Sequence, residues 1–482
     1  MILKILKLLL LISFICILGQ GQSIAETVTI DLSNEIGPIT YCASGFLHSI
    51  SPSTPGVALV DTLKPKAFRL RELPNNYTGG AFITYHRIKH LGAILQLNIS
   101  DGFGYGGTNG WPGEAGVWNV WENYITDLVT RTLDKNYEVQ WDIWNEPDIL
   151  SFWNPSGDKK ARFFETWLRA VVIIRSLDQD SIIIGPSTAY FDGTTSYFSV
   201  EEFLTYAKAN NVLPDILSWH TWNYTAIEND ITQIRTFMTN NGIEQIPISI
   251  NEYVHDTEKT NPGILPWYFA IFEKMQIASA CHACWYDQDG STSQCFNATL
   301  NGILTPDTRQ PRSAWWVYKG YADITGNLVQ LQPSVNVNGI AGIDAGKKYA
   351  RILLGRKGGV ASISLDISNL DQCAFLIDSN NKVRVRAELI PNNGWNSLSQ
   401  PSLAINSDYT VTNGQISISL PSFASGTAYV VSLLNPTSNC GYPGVIYPTG
   451  DINLDCKVDL SDFTIIAGKW LSCYDPEIKD CK

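Results

Sequence analysis

No later stretch of this 482-residue chain runs uncharged for the roughly 20 apolar positions that a bilayer-spanning helix requires, and the apolar run near the amino terminus, residues 8–18, stops at 11. Basic residues are in deficit as well, 34 Lys and Arg against 46 Asp and Glu, a formal charge of −12. A face built to neutralise phosphates is thereby excluded, and no nucleic-acid partner is expected. Charged residues make up only 17% against 44% hydrophobic ones, which rules out a disordered chain. Two familiar motifs are present only in part. Cys281-His282-Ala283-Cys284 has no second Cys/His pair near it and lies in an apolar, strand-like run, so it reads as buried thiols rather than a metal centre. Gly102-Phe103-Gly104-Tyr105-Gly106-Gly107 matches a dinucleotide fingerprint formally, but Trp111-Pro112-Gly113 follows where a helix should begin, so a flexible loop is predicted.

Residues 1–25 have the pattern of a secretory signal peptide: Lys4 and Lys7, the apolar run, then Ser23-Ile24-Ala25 before Glu26. The mature chain is accordingly expected to be exported, to the extracellular space or the periplasm, without a lipid anchor at Cys16. Removing Cys16 leaves nine of the ten cysteines. Export permits disulfides, an odd count leaves one thiol free, and the pairing stays open.

From residue 41 to 326, eight short apolar runs alternate with helical stretches: 43–48, 67–73, 93–99, 139–145, 181–186, 216–222, 247–253 and 278–286. Near-continuous apolar strands separated by helices indicate buried parallel strands, and eight such units predict a (β/α)8 TIM barrel. From 327 to 434 the pattern turns to alternating runs punctuated by Gly and Asn, which predicts an accessory β-sandwich. Residues 26–40 are expected to supply it with one strand. Residues 435–450 read as a linker, and 451–482 as a small helical calcium-loop module.

Two strands carry the candidate chemistry. Trp141-Asp142-Ile143-Trp144-Asn145-Glu146-Pro147 closes the fourth, and Pro247-Ile248-Ser249-Ile250-Asn251-Glu252 closes the seventh. In a barrel both glutamates reach the carboxyl rim, where catalytic groups gather. A pair of carboxyls facing each other across that mouth is what glycoside hydrolysis requires: one to protonate the leaving oxygen, one to attack the anomeric carbon.

These motifs resemble clan A glycoside hydrolases, most closely family 39, which includes β-xylosidases and α-L-iduronidases. Gly45-Phe46-Leu47-His48, Ser218-Trp219-His220-Thr221-Trp222 and Thr305-Pro306-Asp307 resemble it too, over residues 27–434. The resemblance implies retaining double displacement with Glu146 as acid/base and Glu252 as nucleophile. It implies that Asn145 holds the sugar 2-hydroxyl, that His48 and His220 lie in the site, and that Trp285, ending the eighth strand, floors the sugar. Arg69 is expected to support Glu252, on the reasoning that only one of Arg69 and Arg71 points inward. Trp111, Trp153 and Trp222 are rim candidates for sugar stacking. One departure is His220-Thr221-Trp222, where many clan members carry His-x-Tyr; Tyr224 is a possible substitute. The expected substrate is a polysaccharide or its fragments, the alternatives being endo-acting cleavage or a non-catalytic carbohydrate-binding scaffold. No cofactor is expected for catalysis.

In the last module, Asp451, Asn453, Asp455, Asp459 and Asp462, with the Lys457 carbonyl, fall at EF-hand spacing for Ca2+. The stretch resembles a dockerin, which implies a cohesin-like or cell-surface scaffold partner. Cys456 replaces the usual turn glycine, and no second loop follows.

Overall fold

The structure, a computed structural model, describes residues 26–72, 80–360, 362–437, 448–453 and 457–469. The signal segment, most of the linker, Asp455 and the four cysteines from Cys440 onward lie outside the described residues. Eight parallel strands close into a barrel in sequence order: β2 (Gly45–Leu47), β3 (Ala67–Arg71), β4 (Ile94–Asn98), β5 (Gln140–Asp142), β6 (Ile182–Thr188), β7 (Ile216–Thr221), β8 (Ile248–Tyr253) and β9 (Ser279–His282). Closure runs through β2 against β9, and Gly45 makes it possible: a Cβ there would stand 2.3 Å from the Ala280 carbonyl oxygen. Amphipathic helices such as Asn119–Asp134 and Lys159–Leu177 cover the outside, burying Trp121, Ile125, Phe163 and Trp167. Among the described residues no helix is long and apolar enough to cross a membrane.

The barrel interior is polar in its lower layer. Gln96 of β4 donates to Gln140 of β5 and reaches across to Ser279 of β9, both at 3.2 Å, and Ser249 meets Ser279 at 2.9 Å. Each buried polar atom is satisfied by another strand's side chain, so the layer fixes the strands' relative heights.

The second domain is one continuous sheet of nine strands rather than two separate sheets. Its order is β15-β14-β17-β12-β11-β10-β1-β13-β16, with β1 (Glu26–Pro38), β10 (Asn327–Gln332), β11 (Val337–Asp344), β12 (Tyr349–Arg356), β13 (Ile363–Ser368), β14 (Lys382–Ile390), β15 (Ser402–Thr410), β16 (Ile416–Leu420) and β17 (Ala428–Leu434). The sheet curls until its halves share one core, Val28, Leu365 and Ile418 from one side and Val383, Val431 and Leu433 from the other. The twist inherent in a long sheet accounts for this sandwich-like result from a single ladder. Strand β1 lies inside the sheet, antiparallel to β10 and parallel to β13, with Val28, Ile30 and Leu32 at most 2% exposed. The two domains meet where the helix Leu265–Lys274 packs on β11 and β12, with Trp267 Nε1 donating to the Gly355 carbonyl at 3.0 Å.

Because β1 joins the two halves of this sheet, Ile30→Ala should destabilise the second domain by about 2–5 kcal/mol. Denaturant melts would check this; a loss under about 0.5 kcal/mol would contradict the central placement of β1.

Candidate active site

Strand β5 ends at Asp142, and the chain then turns Asn145 and Glu146 over the barrel mouth. Glu146 takes φ = 46°, a left-handed conformation uncommon for a residue with a Cβ. Its surroundings hold it there. The Glu146 N–H donates to the Ser187 carbonyl at 2.9 Å, and buried Asp148 accepts from the N–H groups of Ala189 and Tyr190. His48, Ser187 and Val254, each at or near the carboxyl end of a barrel strand, also have positive φ. Such outliers gather where a structure over-determines a functional geometry.

Strand β8 carries an extra residue relative to β7: Trp219 pairs with Ile250, but His220 pairs with Glu252. The bulge therefore sets His220 directly beside Glu252, the re-aiming that bulges near active sites provide. A hydrogen bond of 3.0 Å joins His220 Nδ1 to Glu146 Oε1, while His220 Nε2 lies 3.8 Å from Glu252 Oε1. One imidazole thus spans the two carboxyls.

Beneath them lies Arg69, 1% exposed. Its Nη1 donates to Glu252 Oε1 at 2.7 Å and to Asn145 Oδ1 at 2.8 Å, and its Nε to Asp142 Oδ2 at 2.5 Å. Asp142 also accepts from Asn98 Nδ2 and from Ser187 Oγ, which in turn accepts from Asn251 Nδ2. Arg69 and Arg71 are two residues apart on a strand and so share a face; the expectation that only one points inward fails for that reason. Arg71 stands one layer nearer the mouth, its guanidinium 4.0 Å over the Phe296 ring.

The two glutamates are electrostatically unequal. Burial pushes Glu146 up to about 7; Arg69 pulls it down and the Asp101 charge adds to the rise. Burial raises Glu252 as well, but it alone of the two is ion-paired to Arg69, so in this coupled pair the proton resides on Glu146. His220 is depressed to about 4 by burial and is neutral near pH 7. Asp101, absent from the sequence-based candidates, is ionised: its carboxyl is held at about 2 by His48, Tyr105 and Arg69 against burial. Nothing in the local pattern Ser100-Asp101-Gly102 signals this; it follows from the helix Ile99–Phe103 that succeeds β4. That helix takes in only the first two residues of the stretch read as a loop, Gly102 and Phe103; residues 104–107 lie outside helix and strand.

The other candidates divide. His48 Nε2 meets Asp101 at 2.9 Å. Trp222 and Trp285 are half-buried and pack edge-to-face, 5.2 Å apart, with Trp222 also against His220. Strand β9 ends at His282, so Trp285 lies in the following loop, which Cys284 ties to Cys295 by a disulfide. Trp153 is fully buried, its Nε1 donating to the Lys159 carbonyl, and cannot stack on a sugar; half-buried Trp111 packs on Trp153 and Trp144. Both belong to an aromatic cluster that bolsters the Glu146 turn. Tyr224 packs on Trp267 and Tyr268. It packs away from Glu252, whose polar neighbours are Arg69 and His220. Cys281 is a buried free thiol. In the last module Asp462 accepts from the N–H groups of Ile452, Asn453 and Asp459, with Asp451 and Asp462 both buried. Among the described residues no group of three or more His, Cys, Asp or Glu is arranged to hold a metal; Asp455 lies outside them.

No family model matches the chain. It is 24% identical over 272 residues to a 3-O-α-D-galactosyl-α-L-arabinofuranosidase of Bifidobacterium longum subsp. longum, across 48% of this chain and 22% of that one. It is 24% identical over 311 residues to a 3-O-β-L-arabinopyranosyl-α-L-arabinofuranosidase of Bifidobacterium pseudocatenulatum, across 55% and 30%. The chain thus spans under a third of either relative. Among solved structures it superposes on a protein of Neocallimastix frontalis with a TM-score of 0.71 at 24% identity, covering 86% of this chain and all of that one. A monomeric β-xylosidase from Caulobacter crescentus and a glycoside hydrolase family 39 enzyme from Xanthomonas axonopodis pv. citri each give 0.63 at 12% identity, covering 86% of this chain and 100% and 99% of theirs. By their names, both relatives and the latter two neighbours are glycoside hydrolases. The fold is theirs.

Two outcomes follow from the site's electrostatics. With 13C-labelled glutamate, one carboxyl should titrate near pH 7 and vanish from the spectrum in Glu146→Gln; a wild-type titration wholly below pH 5 would contradict the account. Arg69→Met should cost about 3–5 kcal/mol in denaturant melts at neutral pH, because Asp142 and Glu252 lose their common cation.

Proposed function

We propose that this chain is a clan A glycoside hydrolase, most akin to family 39, that cleaves O-glycosidic bonds with retention of configuration. The observation that carries this reading is the unequal carboxyl pair, Glu252 ion-paired to Arg69 and Glu146 buried without such a partner, hydrogen-bonded to His220. In the first step Glu252 attacks the anomeric carbon, the glycosidic C–O bond breaks, and the Glu146 proton passes to the leaving oxygen. In the second, Glu146 as carboxylate takes a proton from water, the water oxygen bonds to the anomeric carbon, and Glu252 leaves. Asn145 gives its Oδ1 to Arg69, so its Nδ2 is the atom left for the sugar 2-hydroxyl. Trp285 and Trp222 supply apolar surface beside His220.

The names of the relatives and neighbours support a pentose-containing polysaccharide or oligosaccharide as substrate, of β-xylosidase-like or arabinofuranosidase-like type. The Cys284–Cys295 disulfide agrees with export into an oxidising compartment, as does the signal segment. For the last module we propose structural Ca2+ held by Asp451, Asn453, Asp455, Asp459, Asp462 and the Lys457 carbonyl, with docking to a cohesin-like scaffold. The oxygen-only donor set suits this hard cation, and Asp462 already gathers positions 452, 453 and 459 around itself.

Activity should fall as pH rises through about 7, because the acid form of Glu146 is lost above its titration point. Glu252→Ala should abolish turnover, and added azide should restore part of it with a glycosyl azide of inverted configuration. Normal activity in Glu252→Ala would place the nucleophile elsewhere. Calcium binding is tested by calorimetric titration of the whole protein. Heat of binding is expected, lost in Asp451→Ala/Asp462→Ala, while a chelator leaves hydrolysis unchanged. No heat would remove the calcium reading, and activity lost to chelator would move the metal's role to the barrel.

A further inference from the structure

An arc of the barrel mouth next to the two glutamates carries charge that the chemistry above does not use. His48 follows β2, Arg71 ends β3, and Asp101 sits in the short helix after β4, so three consecutive barrel strands deliver them side by side. Asp101 Oδ2 accepts from His48 Nε2 at 2.9 Å, and Oδ1 accepts from the Tyr105 hydroxyl. A carboxylate offers about four acceptor positions. Two are thus taken, and the side chain is still 17% exposed. Arg71 is half-buried, with its buried Nε lacking a hydrogen-bond partner among the described residues. Its guanidinium carbon lies over Phe296, 4.0 Å from the ring centroid, a cation–π contact that does not consume its N–H donors. His48 stacks on Phe296 too, at 5.5 Å. Phe296 follows Cys295 directly, so the Cys284–Cys295 disulfide braces the whole arc.

An ionised acceptor and a cationic donor therefore stand on one rim, each with hydrogen-bonding capacity left unspent among the described residues. An anionic sugar would meet the Asp101 charge and a cationic one the Arg71 charge. A neutral polyol satisfies both, because each hydroxyl donates and accepts. We infer that Arg71 and Asp101 form a bracket for a vicinal diol of the bound sugar, Arg71 donating to one hydroxyl and Asp101 accepting from its neighbour. The inference rests on the glycoside hydrolase reading and narrows its substrate to a neutral sugar. His48 and Tyr105 are positioning residues that aim the Asp101 carboxylate.

The test uses aryl β-D-xylosides and aryl α-L-arabinofuranosides, together with monodeoxy analogues of whichever glycoside the wild type hydrolyses best. kcat/KM is measured for the wild type, Asp101→Asn and Arg71→Gln. On the parent glycoside each variant should lose at least about tenfold, the weight of a hydrogen bond to a charged group. On the one deoxy analogue that lacks the bracketed hydroxyl, wild type and variant should agree within about twofold, since the lost contact cannot be lost twice. Losses of equal size on the parent and on every deoxy analogue, or no loss at all, would overturn the bracket while leaving the hydrolase reading intact. A wild type inert towards the entire panel would overturn the hydrolase reading, and the bracket with it. Should Asp101→Asn fail to fold, Arg71→Gln, at a half-buried position, carries the same comparison alone.

Discussion

The site depends on one buried cation. Arg69 holds three acceptors at once: it is 1% exposed and divides its donors among Asp142 below, Asn145 beside it and Glu252 above. A guanidinium is taken out of water only where several acceptors replace the solvent, and its planar fork dictates where they stand. The acceptors come from β5, from the turn after it and from β8. One side chain on β3 thereby holds together groups from three segments, the farthest of them, Glu252, 183 residues along the chain from Arg69 itself.

That constraint accounts for the asymmetry of the two glutamates. Both are buried, and burial alone would protonate both. Only Glu252 touches the guanidinium, so the ionised form settles there and the proton on Glu146. Two irregularities of backbone complete the arrangement: the left-handed turn at Glu146 and the extra residue in β8 that brings His220 alongside Glu252. The Glu146 turn is held by the hydrogen bonds of Glu146 and Asp148 to residues 187–190 and by the aromatic cluster of Trp111, Trp144 and Trp153. Environment, rather than residue type, makes the two carboxyls unequal.

Much of this arrangement was legible in the sequence. Seven of the eight barrel strands fall within the apolar runs that predict them, and β6 extends two residues past its run, to Thr188; a parallel strand buried on both faces leaves a local signature. Glu146 and Glu252 stood out because each closes such a run. Interactions across the mouth left no such mark. Asp101 falls between the apolar run 93–99 and the stretch 102–107 that reads as a loop, and its weight comes from His48, more than 50 residues earlier. Trp153 looked like a sugar platform because rim position is visible in a sequence and burial is not. The reasoning on Arg69 and Arg71 went astray over strand periodicity itself, since side chains two apart lie on one face. The second domain's single curled sheet was equally hidden: alternation predicts strands, but whether two halves of a ladder fold over one core depends on which edges pair.

The central claim is that Glu252 forms a covalent bond to the sugar while Glu146 serves as acid and then base. Mass spectrometry of the protein after incubation with an activated 2-deoxy-2-fluoro glycoside, which slows breakdown of the glycosyl-enzyme, addresses it directly. The account predicts that the peptide containing Glu252 gains the mass of one glycosyl unit, with Glu146 unlabelled. Label on another residue, or turnover of ordinary glycosides with inversion and no adduct, would contradict it.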